Sequence, residues 1–395
     1  MILKTLVLCF GFILGLLTCQ NKKGADDKLK SHVQSVANEA SLSKEEIQYY
    51  HDTVAHFLNS NLLKGSFNGA IIVAKEGTIV YEEYIGYKDL RTKDTLTAET
   101  PLQIASTTKT FTSAAILKLI QEGKLNLNDP VSLFFPGFTY EGVTVKTLLN
   151  HRSGLPNYLY YFDKYKWDKQ MYITNTDVLQ TLIQWKPPKS YIPNTRFNYC
   201  NTNFVLLASI IEKISGVSYP QYMEANFFEP LNMSNTFVFT LADSARASVS
   251  FDGYGRWWRM DYTDGTYGDK GIYSTPQDLL KWDQALNQGI ISPQLLDSAF
   301  TPYSNERPSV HNYGLGWRLL MLPNGKKVIY HNGRWHGFNS AFTRLTDENI
   351  VIIILSNRFN RYVYSIARQM YNLFGDYEGK NGIPALDEQV GSTKP

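Results

Sequence analysis

Cysteine is scarce in this chain: three residues out of 395, at positions 9, 19 and 200. Cys9 and Cys19 fall in and at the end of an apolar N-terminal stretch. Cys200 therefore stands alone in the body of the protein, which excludes an intrachain disulfide. Stability has to come from a buried core, and the length is ample for one. Charge of a single sign is also nearly absent, with 39 Lys and Arg against 36 Asp and Glu, net +3, and no long basic run. That balance excludes nucleic acid as a partner. No apolar run approaches the ~20 residues of a spanning helix. Several motifs are missing too. Gly-x-Ser-x-Gly does not occur and the regular βα alternation that accompanies it is lacking, which argues against a nucleophile-elbow hydrolase. His-Glu-x-x-His is absent, and His331 with His336 has no third ligand at suitable spacing, so no metal is expected. No organic cofactor is called for either. Internal repeats and low-complexity segments are missing.

The N-terminus is distinctive. Lys4 precedes an apolar stretch from Leu6 to Leu17, then Thr18-Cys19, then polar Gln20-Asn21-Lys22-Lys23, the order of a secretory signal. Leu16-Leu17-Thr18-Cys19 resembles the lipobox of bacterial lipoproteins, which implies that Cys19 is lipidated and becomes the new N-terminus. The expected organisation is a signal at 1–18, a flexible polar tether at 19–42, a catalytic body at 43–375 and a loose tail at 376–395. The protein is expected to be exported and anchored through lipid to a bacterial membrane, facing the periplasm or the cell surface, as a monomer.

Within the body, Ser43 and Glu46 form a capping box for a helix to about Leu63 carrying Ile47, Val54, Phe57 and Leu58. Gly69–Ala74 and Thr78–Tyr87 read as strands joined by the turn Lys75-Glu76-Gly77. From about 101 to 320 the chain reads as mostly helical with long loops. Strand signals return at Lys327–His331, Asn339–Leu345 and Ile350–Leu355, and a last amphipathic helix runs from about Arg361 to Phe374. This order implies an α+β fold: an antiparallel sheet of about five core strands drawn from both chain ends, flanked by the terminal helices, with the helical insertion on its other face. A site is expected in the cleft between them.

Chemistry concentrates at Ser106-Thr107-Thr108-Lys109. The serine opens a helix pattern to Glu122, closed by Gly123, and Lys109 lies on the same helical face within reach of Ser106. A serine hydroxyl needs a neighbouring base to become a nucleophile, and the helix N-terminus adds a favourable field. The pattern also occurs at Ser41-Leu42-Ser43-Lys44, where it is an ordinary cap. Two further elements accompany it. Tyr199-Cys200-Asn201 precedes a helix pattern from Phe204 to Ile214 and offers a phenol for proton transfer beside an orienting amide. Tyr330-His331-Asn332-Gly333 closes the first late strand, where the glycine permits a close backbone approach and the N–H of Arg334 can face an oxyanion.

In this order, the three elements resemble the serine β-lactamase and penicillin-binding-protein superfamily, in its class C-like branch, over about residues 50–375. Leu148-Leu149-Asn150-His151-Arg152-Ser153-Gly154-Leu155-Pro156 matches its LLxHxSGLP segment, and Gly123–Val131, Ile272–Thr275 and Tyr313–Trp317 match further stretches. The resemblance implies that Ser106 is the acylated nucleophile, with Lys109 or Tyr199 as the base. Asn201 would hydrogen-bond Lys109 and substrate, and His331 and Gly333 fill the third motif. The N–H groups of Ser106 and Arg334 would form the oxyanion hole, and His151 and Gly154 would be structural. Class C β-lactamases usually carry lysine where His331 stands, and a largely neutral histidine shifts the expected substrate away from β-lactams. The side chain of Arg334 either restores a charge beside the cleft or faces solvent. The implied activity is a serine hydrolase acting on D-amino-acid-containing peptides or related esters and amides. A β-lactamase and a slow-turnover penicillin-binding sensor are the alternatives. The aromatic residues of 158–172, and Trp257-Trp258, read first as rings buried against the domain, with an aromatic substrate wall beside the cleft as the alternative.

Overall fold

The computed structural model describes residues 42–377. The expected signal, Cys19, the tether up to residue 41 and the tail from residue 378 lie outside the described residues. Two residues assigned to that tail are described, and they correct its start: Tyr377 is fully buried and its hydroxyl bonds Glu348, so the packed body extends at least to this residue. Packing divides the chain at Ile47. The part before it contributes the capping box, in which Ser43 N–H donates to the Glu46 carboxylate at 2.8 Å and Glu46 N–H to Ser43 Oγ at 3.1 Å. The box opens helix α1 (Lys44–Asn61). No helix among the described residues is long and apolar enough to cross a membrane.

The part from Gln48 is built on a seven-stranded sheet. Its strands are β1 (Gly69–Lys75), β2 (Thr78–Ile85), β3 (His311–Tyr313), β4 (Arg318–Met321), β5 (Lys327–Trp335), β6 (Phe338–Leu345) and β7 (Ile350–Ser356), in the order β3-β4-β5-β6-β7-β1-β2. Every neighbouring pair is antiparallel. The two chain ends meet where β1 pairs with β7, with Ile72 opposite Ile353. The β1–β2 turn at Glu76-Gly77 has both residues at positive φ, 54° and 76°, which explains the glycine there. Two strands, β3 and β4, extend the sheet beyond the expected core. They are too short to register as periodic runs.

Both faces of the sheet are covered. Ala70, Ile72, Phe342 and Ile353 join the main core with Phe111 and Trp282, whose rings stack at 4.4 Å. These last two sit on helices α2 (Thr108–Gln121) and α4 (Pro276–Asn287); α3 (Asn201–Ser215) lies between them in the chain. The alternate residues Ile71, Val73, Ile352 and Ile354 are equally buried, on the opposite face. The C-terminal segment covers that face: α5 (Val363–Gln369) packs on β6 and β7, and Thr343 bonds the Tyr371 hydroxyl at 3.1 Å. Tyr50 of α1 meets Phe374 with ring centroids 5.8 Å apart, so the terminal helices lie together. The 101–320 region is less uniformly helical than its sequence suggests. It contains a three-stranded sheet (Leu102–Gln103, Ile272–Ser274, Phe237–Val238) and the hairpin Ser250–Phe251 with Trp257–Trp258.

Candidate active site

Ser106 lies in a tight 3-10 turn, Ala105–Thr107, ahead of α2, not within the α-helix itself. Ala105 has φ of 47°, a conformation an alanine adopts only when its surroundings impose it. They do so here. Ile104 N–H donates to Ile272 O, Ser340 Oγ donates to Ile104 O at 2.7 Å, and Thr107 Oγ1 meets Ser340 Oγ at 2.8 Å. The turn is clamped between the small sheet and β5–β6, and Ser106 itself is only 9% exposed.

Lys109 is fully buried. Its Nζ lies 3.0 Å from Ser106 Oγ and donates to Asp269 O at 2.8 Å. The carbonyl can only accept, so it takes one N–H, and one of the nitrogen's two other positions faces the serine. The same Nζ sits 4.9 Å from the centre of the Tyr199 ring and 5.5 Å from that of Phe204. Serine, lysine and tyrosine are thus brought together. Asn201, the first residue of α3, departs from expectation. Its Oδ1 is buried without a hydrogen-bond partner, so it does not hold Lys109. The Asp269 carbonyl performs that task.

The third motif also differs from its predicted form. Strand β5 does not end near His331 but continues to Trp335 and turns at His336-Gly337, because pairing with β6 persists, Gly333 opposite Ser340. Strand β4 pairs only with Lys327–Tyr330. From His331 to Trp335 no strand among those described pairs with the other edge of β5, which gives an extended ligand a place to lie. A Cβ on Gly333 would fall 2.2 Å from Ile104 O and 2.9 Å from Ser106 N, so glycine is required for the strand to lie against the nucleophile's turn.

His331 is fully buried. Its Nδ1 lies 2.8 Å from Asn332 O and its Nε2 3.1 Å from the Tyr313 hydroxyl. With Nδ1–H donating to the carbonyl, Nε2 accepts from tyrosine, and both sites are used by a neutral ring. Burial, then the charges of Arg318 and Lys109, push its pKa well below the usual histidine value. His331 supplies no cation. Nor does the side chain of Arg334, which lies over the Phe359 ring at 4.7 Å. The cation near the site is Arg318 at the start of β4, 5.3 Å from the Tyr199 ring centre. Sequence reading missed it, since an arginine on a four-residue strand carries no motif.

His151 stands beside Tyr199 with ring centroids 4.3 Å apart, and its Nδ1 accepts from Cys200 N–H at 3.2 Å. Burial, then the charges of Lys109 and Arg318, keep it neutral, with its pKa well lowered. Gly154, at φ 70°, could not hold a Cβ, which would lie 2.1 Å from Tyr191 O. Behind Lys109 lies a buried polar cluster: Tyr158 donates to Asp269 Oδ2 at 2.9 Å, and Lys270 donates to Tyr158 and Thr266. Its sequence signal was Gly268-Asp269-Lys270-Gly271, whose glycines have φ of 92° and 97° and bend the loop under the lysine. Of the aromatic residues of 158–172, Tyr158, Tyr161 and Phe162 are buried as expected, whereas Tyr160, Tyr165 and Tyr172 are exposed, as is Trp257 at 41%, against expectation. Asp261, Asp264 and His336 could together face a cation. Both Asp264 oxygens, however, already accept from Trp335 Nε1 at 2.6 Å and from the Asp261 N–H and His336, so the group reads as a satisfied hydrogen-bond cluster.

A mixed sheet-and-helix fold with a serine–lysine pair on a clamped turn defines a serine hydrolase class with the β-lactamase fold. The family model for Beta-lactamase matches residues 54–374, and the chain belongs to that family. It is similar to Penicillin-binding protein 4* of Bacillus subtilis (strain 168), 33% identical over 312 residues that cover 75% of this chain and 69% of that protein. It is also similar to protein flp of Staphylococcus aureus (strain MW2), 29% identical over 79% of this chain and 64% of that one, so the chain spans about two thirds of the length of these relatives. The D-amino acid amidase of Ochrobactrum anthropi SV3 shares the fold at a TM-score of 0.62, with 22% identity over 78% of this chain and 91% of that one.

Proposed function

We propose that the protein hydrolyses amide or ester bonds through an acyl-enzyme on Ser106, acting on D-amino-acid-containing peptides or related esters and amides. The observation that carries this reading is the buried Lys109 Nζ at 3.0 Å from Ser106 Oγ, tethered from behind by Asp269 O. A carbonyl laid against the open edge of β5 would present its oxygen to the N–H groups of Ser106 and Arg334. The Ser106 Oγ–carbon bond forms as Lys109 or Tyr199 takes the hydroxyl proton. The carbon–nitrogen or carbon–oxygen bond then breaks as that proton passes to the leaving group. Water next attacks the ester, gives a proton back to Ser106 and releases the acid. The neutral His331 and the cation of Arg318 beside Tyr199 favour a substrate whose carboxylate pairs with Arg318.

Incubation with an activated-ester probe, followed by mass spectrometry, tests the nucleophile. The adduct is expected on Ser106 and absent from Ser106→Ala, and labelling that persists in the variant refutes the assignment. Similarity to a protein named as penicillin-binding favours acylation by penicillin as a second reading. Rapid loss of a penicillin adduct would identify a β-lactamase, and a long-lived one a peptidase or sensor. In the same reading the protein is exported and works as a monomer tethered through lipid on Cys19. Metabolic labelling with a palmitate analogue should mark it and fail in Cys19→Ala.

A further inference from the structure

Past the Arg334 end of β5 the surface opens into a groove of about 1180 Å³. Its walls come from the hairpin carrying Tyr254, Arg256 and Trp257, from the segment Phe359–Tyr362, and from residues 61–66 at and after the end of α1. Trp258 and Arg259 line it as well, and they also line a smaller cavity of about 300 Å³ with His336, Phe338 and Gln103, three residues before the nucleophile. The two hollows share a wall. The groove is tied to the open edge at two points: the Arg334 guanidinium lies over Phe359, and the Trp258 ring is 5.6 Å from that of His336.

The groove's chemistry is cationic. Its one carboxylate, Asp252, is occupied by Arg256 Nε at 2.6 Å and by the N–H groups of Tyr254 and Arg256. Arg259 and Arg361 line the groove and Arg334 and Arg358 border it, and none of them has a carboxylate partner among the described residues. Arg259 is held at 4.5 Å from the Trp257 ring and Arg361 donates to the Tyr362 hydroxyl. Guanidinium groups fixed on aromatic rings keep their forks free for a planar anion.

We propose that this groove binds a carboxylate at the distal end of the acyl donor, so that an extended substrate carries an anion beyond each end of the His331–Trp335 edge, one toward Arg318 and one here. The inference rests on the acyl-enzyme reading above, because that reading lays the substrate along β5. At about 3.3 Å per residue, an extended tripeptide spans the distance from the Gly333 region to past Trp335.

Calorimetric titration of the Ser106→Ala protein with succinyl-Gly-Gly-D-Ala-D-Ala, and with its neutral counterpart butyryl-Gly-Gly-D-Ala-D-Ala, tests this without turnover. The acidic peptide should bind at least about tenfold more tightly, and the preference should vanish in 0.5 M salt and in an Arg259→Gln/Arg361→Gln double variant. Both substitutions are at the surface, and an unchanged melting temperature shows that the fold is intact. Equal affinity for the two peptides, no detectable binding of either, or a preference that survives the double variant overturns the groove assignment even where Ser106 is labelled normally. Selective binding without any Ser106 labelling in the wild type overturns instead its role as an acyl-donor subsite. Recruitment to anionic vesicles that the acidic peptide cannot displace would reassign the arginines to a lipid surface and overturn the proposal.

Discussion

The segments that furnish the cleft's polar groups are held very differently. On the Ser106 side the groups next to the nucleophile are engaged: Lys109 between Ser106 and Asp269 O, and Thr107 with His331 O and Ser340; farther back, Asp269 Oδ1 and Gln103 Oε1 are buried without partners. On the Tyr199 side Asn201 Oδ1 and His151 Nε2 are buried without partners, and the Tyr199 ring stays half-buried. In the first wall the catalytic amine is fixed before any ligand arrives, as a preorganised catalytic group has to be. The second holds unmet hydrogen-bonding capacity at its buried atoms, which costs folding stability. The largest effect should therefore come from the first wall. Lys109→Met removes the amine but keeps the stem, and kcat/KM for a reactive ester should fall about 10³-fold or more with a nearly unchanged melting temperature. Retention of a tenth of the activity would remove Lys109 from the chemistry.

Asn201→Ala probes the second wall and should move activity and stability in opposite directions. A lost substrate contact should lower kcat/KM by about 10²-fold. Deleting a buried, unpartnered oxygen should leave the fold as stable as before or raise it by about 1 kcal/mol. Denaturant unfolding reads the second quantity, and a clear loss of stability would mean that Asn201 is structural and the contrast between the walls is wrong. Tyr158→Phe reaches the first wall from behind. Removing the hydroxyl from Asp269 and Lys270 should cost about 1–3 kcal/mol of stability but only a few-fold in kcat, because Lys109 is held by the backbone of Asp269 and not by its carboxylate. A loss as large as that of Lys109→Met would show that the buried cluster tunes the base.

The same contrast governs what was legible in sequence. Ser106 and Lys109 sit one helical turn apart, so their proximity follows from local geometry, and β1, β2, β6 and β7 announced themselves as apolar runs. The turn at Ala105, by contrast, is imposed by Ser340 and Ile272, residues remote in the chain, and no local pattern reports it. Arg318 and Tyr313 approach the site only because β3 and β4 add to the sheet edge, and strands that short have no periodicity to read. The Asp269 carbonyl is a backbone group, invisible to any reading by residue type; only the flanking Gly268 and Gly271 could have hinted at a bend there. Asn201 was legible as a polar residue of the site but not as an unpartnered one, since satisfaction depends on tertiary neighbours.

The smallest predicted effect separates the walls by pH. His151 and His331 are buried and neutral, both with pKa well below the ordinary 6.5, through burial and the facing charges of Lys109 and Arg318. The unfolded chain binds a proton on each as pH falls through about 6.5, while the folded protein does not, so stability is complete above that value and is lost below it. The slope should approach about 1.4 kcal/mol per pH unit for each histidine. Burial pulls the Asp264 carboxyl up, but the His336 hydrogen bond and nearby charges hold it low, so its contribution is lost only below the ordinary carboxylate range and the decline from pH 6.5 to 5 falls to the two histidines. Urea unfolding at pH 7.5, 6 and 5 should show the decline, and His331→Gln, which keeps hydrogen-bonding capacity beside Tyr313 but cannot titrate, should halve its slope. A slope untouched by that substitution would place the burden on His151 and the Tyr199 wall alone, and a flat profile would mean that both rings accept protons in the folded state and that the cleft is wetter than its packing implies.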